Sequence, residues 1–336
     1  MPAGWRWRKS MVERLRWGVL STARIGVDKV IPALQRSERG EVVAIASRDG
    51  SRAEKAASGL GIARAHASYE ALLDDPDVDA IYNPLPNHLH AEWTLAAARV
   101  GKHVLCEKPL GLDADEAQRM IDGCRDAGVT LVEGFMYRQH PQWVRTREMV
   151  ASGRLGMVQA IQTFFSYDNR NPADIRNIAE FGGGALMDIG CYCIDLSRML
   201  FGGEPERVEG MVRVDPDFGT DVLSSALLSF SDGRHATFTC STQCAPDQRV
   251  HVVGTDARLT VEIPFNAPPD RPLRLLLAAA GPQEPPEVIE VPAADQYSLQ
   301  GDAFARSVLD GETVPLEPEN SVANLRIIAA LRGTAA

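Results

Sequence analysis

The stretch Trp17–Val30, WGVLSTARIGVDKV, decides the fold. The apolar run WGVL passes through the small residues Ser21, Thr22 and Ala23 into a segment with helical periodicity, VDKVIPALQ, so the chain opens on a strand, a tight turn and a helix. The turn STARIG, Ser21–Gly26, stands where a dinucleotide-binding unit carries G-x-G-x-x-G, and it keeps only the last glycine. Ser21 and Ala23 are small enough to let the backbone approach a pyrophosphate. A helix beginning near Arg24 offers its N-terminal amides to the anion. Ser21, Thr22, Ala23, Arg24 and Ile25 are therefore candidate cofactor residues, and a plain strand-to-helix turn is the alternative.

The segments that follow support the first reading. EVVAIAS, DAIYN, KHVLC and VTLVE are short apolar runs, separated by amphipathic stretches such as EWTLAAARV and DADEAQRMIDGCRDA, the last with Asp113 and Glu116 in capping positions. Such alternation predicts a doubly wound parallel sheet. About 20 residues beyond the turn, where an NAD enzyme holds an acid for the ribose, the chain reads AIASRDGSRAEK. Ser47 and Arg48 sit at the strand tip, with Arg52 and Lys55 close behind. A hydroxyl with a basic cluster suits a 2′-phosphate, so NADP(H) is the expected cofactor by at least about tenfold, and Asp49 keeps NAD as the alternative.

After Phe135 the pattern changes. A helix PQWVRTREMVAS, a strand MVQAIQTFFSY and a Gly-rich entry into the helix GGGALMDIGCYCIDLSRML precede RVEGMVRV, DVLSSALLSF, HATFTCST, RVHVVG, ARLTVEI and LRLLLAA. These runs come at hairpin-like intervals, with SDGR a turn, and predict a mostly antiparallel sheet. NAPPDRP and AAGPQEPPE read as loops, and SVANLRIIAALRG as a closing helix. The expected organisation is an N-terminal extension (1–16), a dinucleotide-binding domain (17–138), a second domain (139–314) and a C-terminal helix (315–336).

Composition bounds the function. The 336 residues, 45% hydrophobic, suffice for two cores, and a formal net charge of −10 opposes binding to a phosphate backbone. No nucleic-acid partner is expected. The six cysteines follow no repeating spacing, and Cys191-x-Cys193 and Cys240-x3-Cys244 lack a histidine-rich partner run, so no metal site is assigned. Residues 1–16 are basic without the apolar run of a signal peptide, and no segment nears the roughly 20 apolar residues of a membrane span. A cytoplasmic location, away from membranes, is the expectation.

With STARIG, NPLPNHLH, CEKPL, EGFMYRQHP and GGGALMDIGCY in order, the sequence resembles the glucose-fructose oxidoreductase, inositol dehydrogenase and rhizopine-catabolism family from Trp17 to about Arg332. It is most similar to the branch holding NADP-dependent xylose dehydrogenases, dimeric dihydrodiol dehydrogenases and sugar 3-ketoreductases. The resemblance implies an α/β protein: an N-terminal Rossmann domain with a doubly wound parallel sheet, and a C-terminal α+β domain with a large open, mostly antiparallel sheet. In that reading residues 139–314 form the substrate-binding and oligomerisation domain, whose sheet usually mediates homodimer or homotetramer contacts, and the C-terminal helix, 315–336, returns to the Rossmann domain. The resemblance also implies a cis Lys108–Pro109 bond and cleft-facing positions for Arg138 and Arg176. Two departures stand out: Ser21-Thr22-Ala23 replaces the family's Gly-x-Gly, and Tyr192 stands where inositol dehydrogenases place a histidine.

Glu107 and Lys108 close the strand KHVLC, and the carboxyl edge of an open α/β sheet is where ligands bind. Pro109 restricts Lys108 to an extended backbone, which directs its ammonium. Asp188 and Tyr192, four residues apart, share one helix face behind the glycines Gly182–Gly184. Oxidising a secondary alcohol or hemiacetal needs a base for the hydroxyl proton while hydride leaves the same carbon. Free tyrosine titrates near about 10, and one adjacent cation lowers that by about 1 to 3. Tyr192 is therefore the expected acid/base, Lys108 its cationic partner and hydroxyl anchor, and Asp188 the group holding substrate or lysine. Asn83, Leu85, Asn87 and His88 follow the strand DAIYN and should line the nicotinamide side, with Glu107 and Lys108 beside them. His88-x-His90 reads as a hydrogen-bonding helix start, not a metal pair. The expected function is NADP-dependent hydride transfer to or from a pyranose or cyclic polyol, a small-molecule carbohydrate. A nucleotide-sugar 3-ketoreductase and a non-catalytic NADP- or sugar-sensing regulator are the alternatives.

Overall fold

The computed structural model describes residues 13–279, 281 and 285–333. Most of the expected N-terminal extension, residues 1–12, lies outside them, as does part of the AAGPQEPPE loop. The first strand, β1 (Leu15–Leu20), starts two residues before the expected domain edge at residue 17. It continues into β2 (Gly40–Ala46), β3 (Arg64–His66), β4 (Ala80–Asn83), β5 (His103–Cys106) and β6 (Leu131–Glu133). These six strands form a parallel sheet in the order β3-β2-β1-β4-β5-β6. Val19, Ile45, Ile81, Val104 and Val132 are all buried in it, because helices cover both faces. Those helices are α1 (Ile31–Arg36), α2 (Gly50–Leu60), α3 (Tyr69–Leu73), α4 (His90–Arg99) and α5 (Ala114–Asp126). The strand order reverses direction between β1 and β4, and ligands of such sheets bind in the crevice at that switch, beyond the strand ends.

Helix α6 (Pro141–Ala151) leads to β7 (Val158–Asp168), and a helical stretch Leu186–Gly190 runs into α7 (Cys191–Phe201). The strands β8 (Arg207–Val214), β9 (Asp221–Ser229), β10 (His235–Ser241), β11 (Gln243–Gly254), β12 (Ala257–Val261), β13 (Leu273–Ala279) and β14 (Glu287–Val291) follow. With β7 they make an eight-stranded sheet in the order β14-β13-β12-β11-β7-β10-β9-β8. Every neighbouring pair is antiparallel except β7 with β10, which runs parallel at the centre. One face is covered by α7 and α6. The other is open, and Met211 on it is 81% exposed.

The chain returns to the parallel sheet earlier than the expected boundary at residue 315. Helix α8 (Gln296–Leu309), unread in the sequence, packs on the first unit. Phe304 stacks at 5.0 Å on Trp17, Ser37 donates to Asp302, and Arg39 pairs with Asp310. Burial of the large Trp17 indole, to which Phe304 contributes, favours this return. Helix α9 (Glu319–Arg332) then lies between the two units, against α5 on one side and α7 on the other.

Candidate active site

The turn after β1 achieves with serine what the usual motif achieves with glycine. Ser21 adopts a left-handed backbone, φ 71°, and its own hydroxyl accepts from the Ala23 amide at 3.2 Å, a local bond that offsets the steric cost. Helix begins at Arg24, and its first part, Gly26–Val30, is wound wide as a π-turn before α1. Arg24 and Ile25 line a cleft of about 970 Å³ beyond the strand ends. Ser21, Thr22 and Ala23 are half-buried behind them.

At the tip of β2, Ser47 is buried and accepts from the Asp49 amide, whereas Arg48 and Lys55 are exposed. Asp49 serves as the N-cap of α2, accepting from the amides of Ser51 and Arg52. Bonding to Ser51, first of all, holds its carboxyl below the usual range. A carboxylate spent on capping is a poor ribose ligand, while Arg48 stays available for a phosphate. The donor set fits a phosphorylated dinucleotide.

The NPLPNHLH loop divides its residues between lining and scaffolding. Leu85 and Asn87 line the cleft. Asn83 does not: wholly buried, it accepts from the Leu85 amide and donates to the His90 carbonyl and Thr94, because the sharp turn after β4 leaves those groups unpaired otherwise. His88, expected at the nicotinamide side, is not among the residues lining the cleft: its ring stacks on Phe181 at 4.2 Å and its Nδ1 is buried without a hydrogen-bond partner. His90 is buried with its ring nitrogens 2.9 Å from the Pro109 carbonyl oxygen and 2.7 Å from that of Leu85. Burial pushes its pKa down to about 4, so the neutral ring carries one N–H and donates to one of these two carbonyls.

Glu107 and Lys108 do not pair with each other. Glu107 accepts from the Tyr82 hydroxyl at 2.8 Å, and burial raises its pKa. Lys108, ahead of a cis Pro109, points across the cleft and donates to the backbone carbonyl of Asp188 at 2.6 Å and to its Oδ1 at 2.9 Å. The second carboxylate oxygen accepts from the Tyr167 hydroxyl at 2.6 Å and from Arg176 Nε at 3.2 Å. Burial works against the charged form of Asp188, yet the two cations and the tyrosine overcome it and hold the carboxyl well below the usual range. Burial is likewise the largest effect on Lys108 and opposes its charge, and Asp188 with Cys191 and Glu107 together outweigh it, so the ammonium titrates above its ordinary value.

Tyr192 lines the same cleft, with the Lys108 ammonium 5.2 Å from its ring centroid. Phe135, Tyr137, Phe165 and Phe265 surround the ring, and the hydroxyl reaches Met136 Sδ at 3.6 Å. The expectation that Lys108 lowers the phenol pKa is not met: burial, then the nearby Glu107 carboxylate, push it well above the usual value. The lysine charge is already engaged by Asp188. Tyr192 therefore keeps its phenolic proton.

Arg176 lines the cleft, paired to Asp174 and Asp188. Arg138 turns away from it: its Nε lies 3.5 Å from Asp195 and 3.3 Å from Met199 Sδ, inside a buried network that also takes the Tyr137 hydroxyl. Asp195 is fully buried and needs that cation. Sequence reading missed Tyr167 and Tyr297, both in the cleft wall. The alternation Ile161, Thr163, Phe165 along β7 does carry the signal for Tyr167, which falls on the same face.

Comparison with known proteins agrees with this geometry. Residues 15–135 match the oxidoreductase family with an NAD-binding Rossmann fold, and residues 143–260 match the GFO/IDH/MocA C-terminal domain. The chain is 44% identical to D-xylose 1-dehydrogenase (NADP(+)) 2 of Haloferax volcanii, over 94% of this chain and 96% of that one. A 3-ketoreductase from Actinomadura kijaniata, solved with NADP and TDP-benzene, superposes with a TM-score of 0.88 at 34% identity, covering 96% of this chain and 98% of the other. The aldose-aldose oxidoreductase of Caulobacter crescentus, solved with glycerol, gives a TM-score of 0.88 at 26% identity, covering 96% and 97%. With a Rossmann unit, an open-sheet unit and a lysine and tyrosine meeting between them, the chain belongs to the GFO/IDH/MocA oxidoreductase family.

Proposed function

We propose that the protein is an NADP-dependent oxidoreductase that interconverts a hydroxyl and a carbonyl on a sugar ring or related cyclic polyol. The observation that carries this reading is the meeting of Lys108 and Tyr192 in one cleft, from two different units of the chain. Arg24 and the helix start behind Ser21 would hold the pyrophosphate, and Arg48 with Lys55 the 2′-phosphate. Bound NADP supplies the nicotinamide carbon that gives or takes hydride.

The protein groups handle the oxygen and its proton. An ammonium has three protons, and two of those on Lys108 go to the Asp188 carbonyl and carboxylate. The third is available for the reacting oxygen, where negative charge develops. In the reducing direction the neutral Tyr192 hydroxyl donates its proton to that oxygen, and in the oxidising direction the phenolate form of Tyr192 takes that proton back. Asp188, saturated by Lys108, Tyr167 and Arg176, fixes the direction of the ammonium and does not itself exchange protons.

Lys108→Met is expected to lower turnover at least about a hundredfold, with NADP binding retained. Full turnover in that variant refutes the assignment. The 34% identity to the Actinomadura kijaniata 3-ketoreductase supports a second reading, reduction of a nucleotide-linked ketosugar. Steady-state rates on free aldoses against dTDP-ketosugars separate the two. We further propose a homodimer or homotetramer formed through the open face of the eight-stranded sheet, and a cytoplasmic location, which the six free thiols suit. Among the described residues, no helix is long and apolar enough to cross a membrane.

A further inference from the structure

Helix α9 runs antiparallel to the helical stretch that carries Asp188 and Tyr192, and it touches that stretch at regular intervals. Asn320 Nδ2 donates to Asp195 at 2.8 Å, Asn324 Nδ2 donates to the Cys191 carbonyl at 3.1 Å, and Arg332 donates to the Gly183 carbonyl at 2.8 Å. Each step along one helix is matched by an equal step back along the other. Cys191 is the residue before Tyr192. Arg332 also bonds Asp221, which accepts from the Leu186 amide at the start of the same stretch.

The same helix reaches the lysine loop. Ser321 donates to Glu133 Oε2 at 2.5 Å, and Glu133 Oε1 accepts from the Leu110 amide at 2.9 Å, two residues after Lys108. Ser321 is 0% exposed, Glu133 1% and Asn324 2%, so none of these bonds is exchanged for water. Buried bonds of this kind fix geometry because breaking one strands a polar group in an apolar surrounding.

Resting on the proposed hydride-transfer reading, we propose that Ser321 and Glu133, together with Asn324, are positioning residues that set the distance between the Lys108 ammonium and the Tyr192 hydroxyl. None of the three lines the cleft. They act through the Leu110 amide on one side and the Cys191 carbonyl on the other. Burial, followed by Ser321 bonding and the charge of Asp195, leaves the Glu133 carboxyl near about 7. The groups facing it are Ser321, the Leu110 amide, Asp195 and Arg198. A carboxylate accepts from both Ser321 and Leu110. A protonated one accepts only from Leu110 until the serine hydroxyl turns.

The test compares Ser321→Ala, Glu133→Ala and Glu133→Gln in the full-length protein. Each is examined by circular dichroism, NADP titration, steady-state kinetics across pH and amide hydrogen exchange. Ser321→Ala and Glu133→Ala should lower kcat about tenfold or more at temperatures where they remain folded, with NADP affinity changed less than about twofold. Both should speed exchange at the Leu110 amide. Glu133→Gln can accept from Leu110 and donate to Ser321, so it should rescue most of kcat and remove any kcat titration near pH 7. In a Lys108→Met background, Ser321→Ala should add little further loss, since both act through one group. Folded Ser321→Ala with unchanged kcat and unchanged Leu110 exchange overturns the proposal, as does full additivity with Lys108→Met. Wild-type protein that turns over no sugar, polyol or ketosugar sinks the hydride-transfer reading instead, and Leu110 exchange alone then decides the bracing.

Discussion

Asp188→Asn is the most informative single change in the cleft. The substitution preserves shape and leaves Oδ1 to accept from Lys108, but it replaces Oδ2 with an amide donor that faces Tyr167 and Arg176, 2.6 and 3.2 Å away in the native site. The tyrosine hydroxyl can rotate and accept. The guanidinium cannot, so one charge-assisted bond worth about 1.5 to 3 kcal/mol is lost. Lys108 then loses its buried anion, whereas Arg176, 41% exposed and still paired with Asp174, is partly screened by water, so the total lies at or below the low end of the roughly 3 to 5 kcal/mol typical of a broken buried pair. Urea unfolding at pH 7 measures it.

The pH dependence has a definite sign. Asp188 titrates below its ordinary value when folded, so its contribution is fully present above about 3.9 and is lost only as the pH falls through the depressed value. Lys108 titrates above its ordinary value, so its share is present below about 10.4 and is lost as the pH climbs beyond the raised value. The stability gap between wild type and variant should therefore be flat from about pH 5 to 7, and should narrow at higher pH once Lys108 of the variant begins to lose its proton. In the variant, burial of Lys108 is no longer offset by the Asp188 anion, so its titration moves down and gives kcat a new basic limb. A gap below about 1 kcal/mol at pH 7, or one that varies across that window, refutes the reasoning.

Two further outcomes follow from the fold. Arg48→Ala should weaken NADPH at least about tenfold while changing NADH less than about threefold, because Arg48 is exposed at the strand tip and the 2′-phosphate alone distinguishes the two ligands; equal losses in isothermal titration would remove Arg48 from the site. Met211→Glu, which places a carboxylate on the open sheet face where methionine is 81% exposed, should shift sedimentation toward monomer with kcat per subunit retained, and an unchanged assembly would put the interface elsewhere.

The strands of the parallel sheet were legible because buried runs such as Val104–Cys106 and Leu131–Val132 are continuous and apolar. β3 was not, since Arg64–His66 has no fully buried residue and holds its place only by pairing with Ala44–Ala46. α8 escaped for a related reason: its apolar residues complete a core whose other half lies at Trp17 and Leu34, and no local periodicity points to a partner so distant. The pairing of β7 with β10 in parallel is a long-range choice that hairpin spacing cannot reveal. In the site, Lys108, Asp188 and Tyr192 were visible from motif spacing and do converge. Their protonation was not, because it depends on how deeply Tyr192 is enclosed by Phe135, Phe165 and Phe265. Arg138 was misplaced for the converse reason: its neighbour in the fold, Asp195, lies 57 residues away and outcompetes any ligand for the guanidinium.

Trp17 and Phe304 have a bearing on how the chain comes to be made. A ribosome delivers the entire parallel sheet well before residue 304, yet the indole in the first strand waits for that phenylalanine to shield it. The opening unit consequently cannot mature as an independent piece ahead of the rest. Its last hydrophobic seam closes only when synthesis is nearly complete, so nascent protein leaves the Trp17 indole without this cover for most of its elongation, and chaperone capture of truncated chains should track the absence of this late helix.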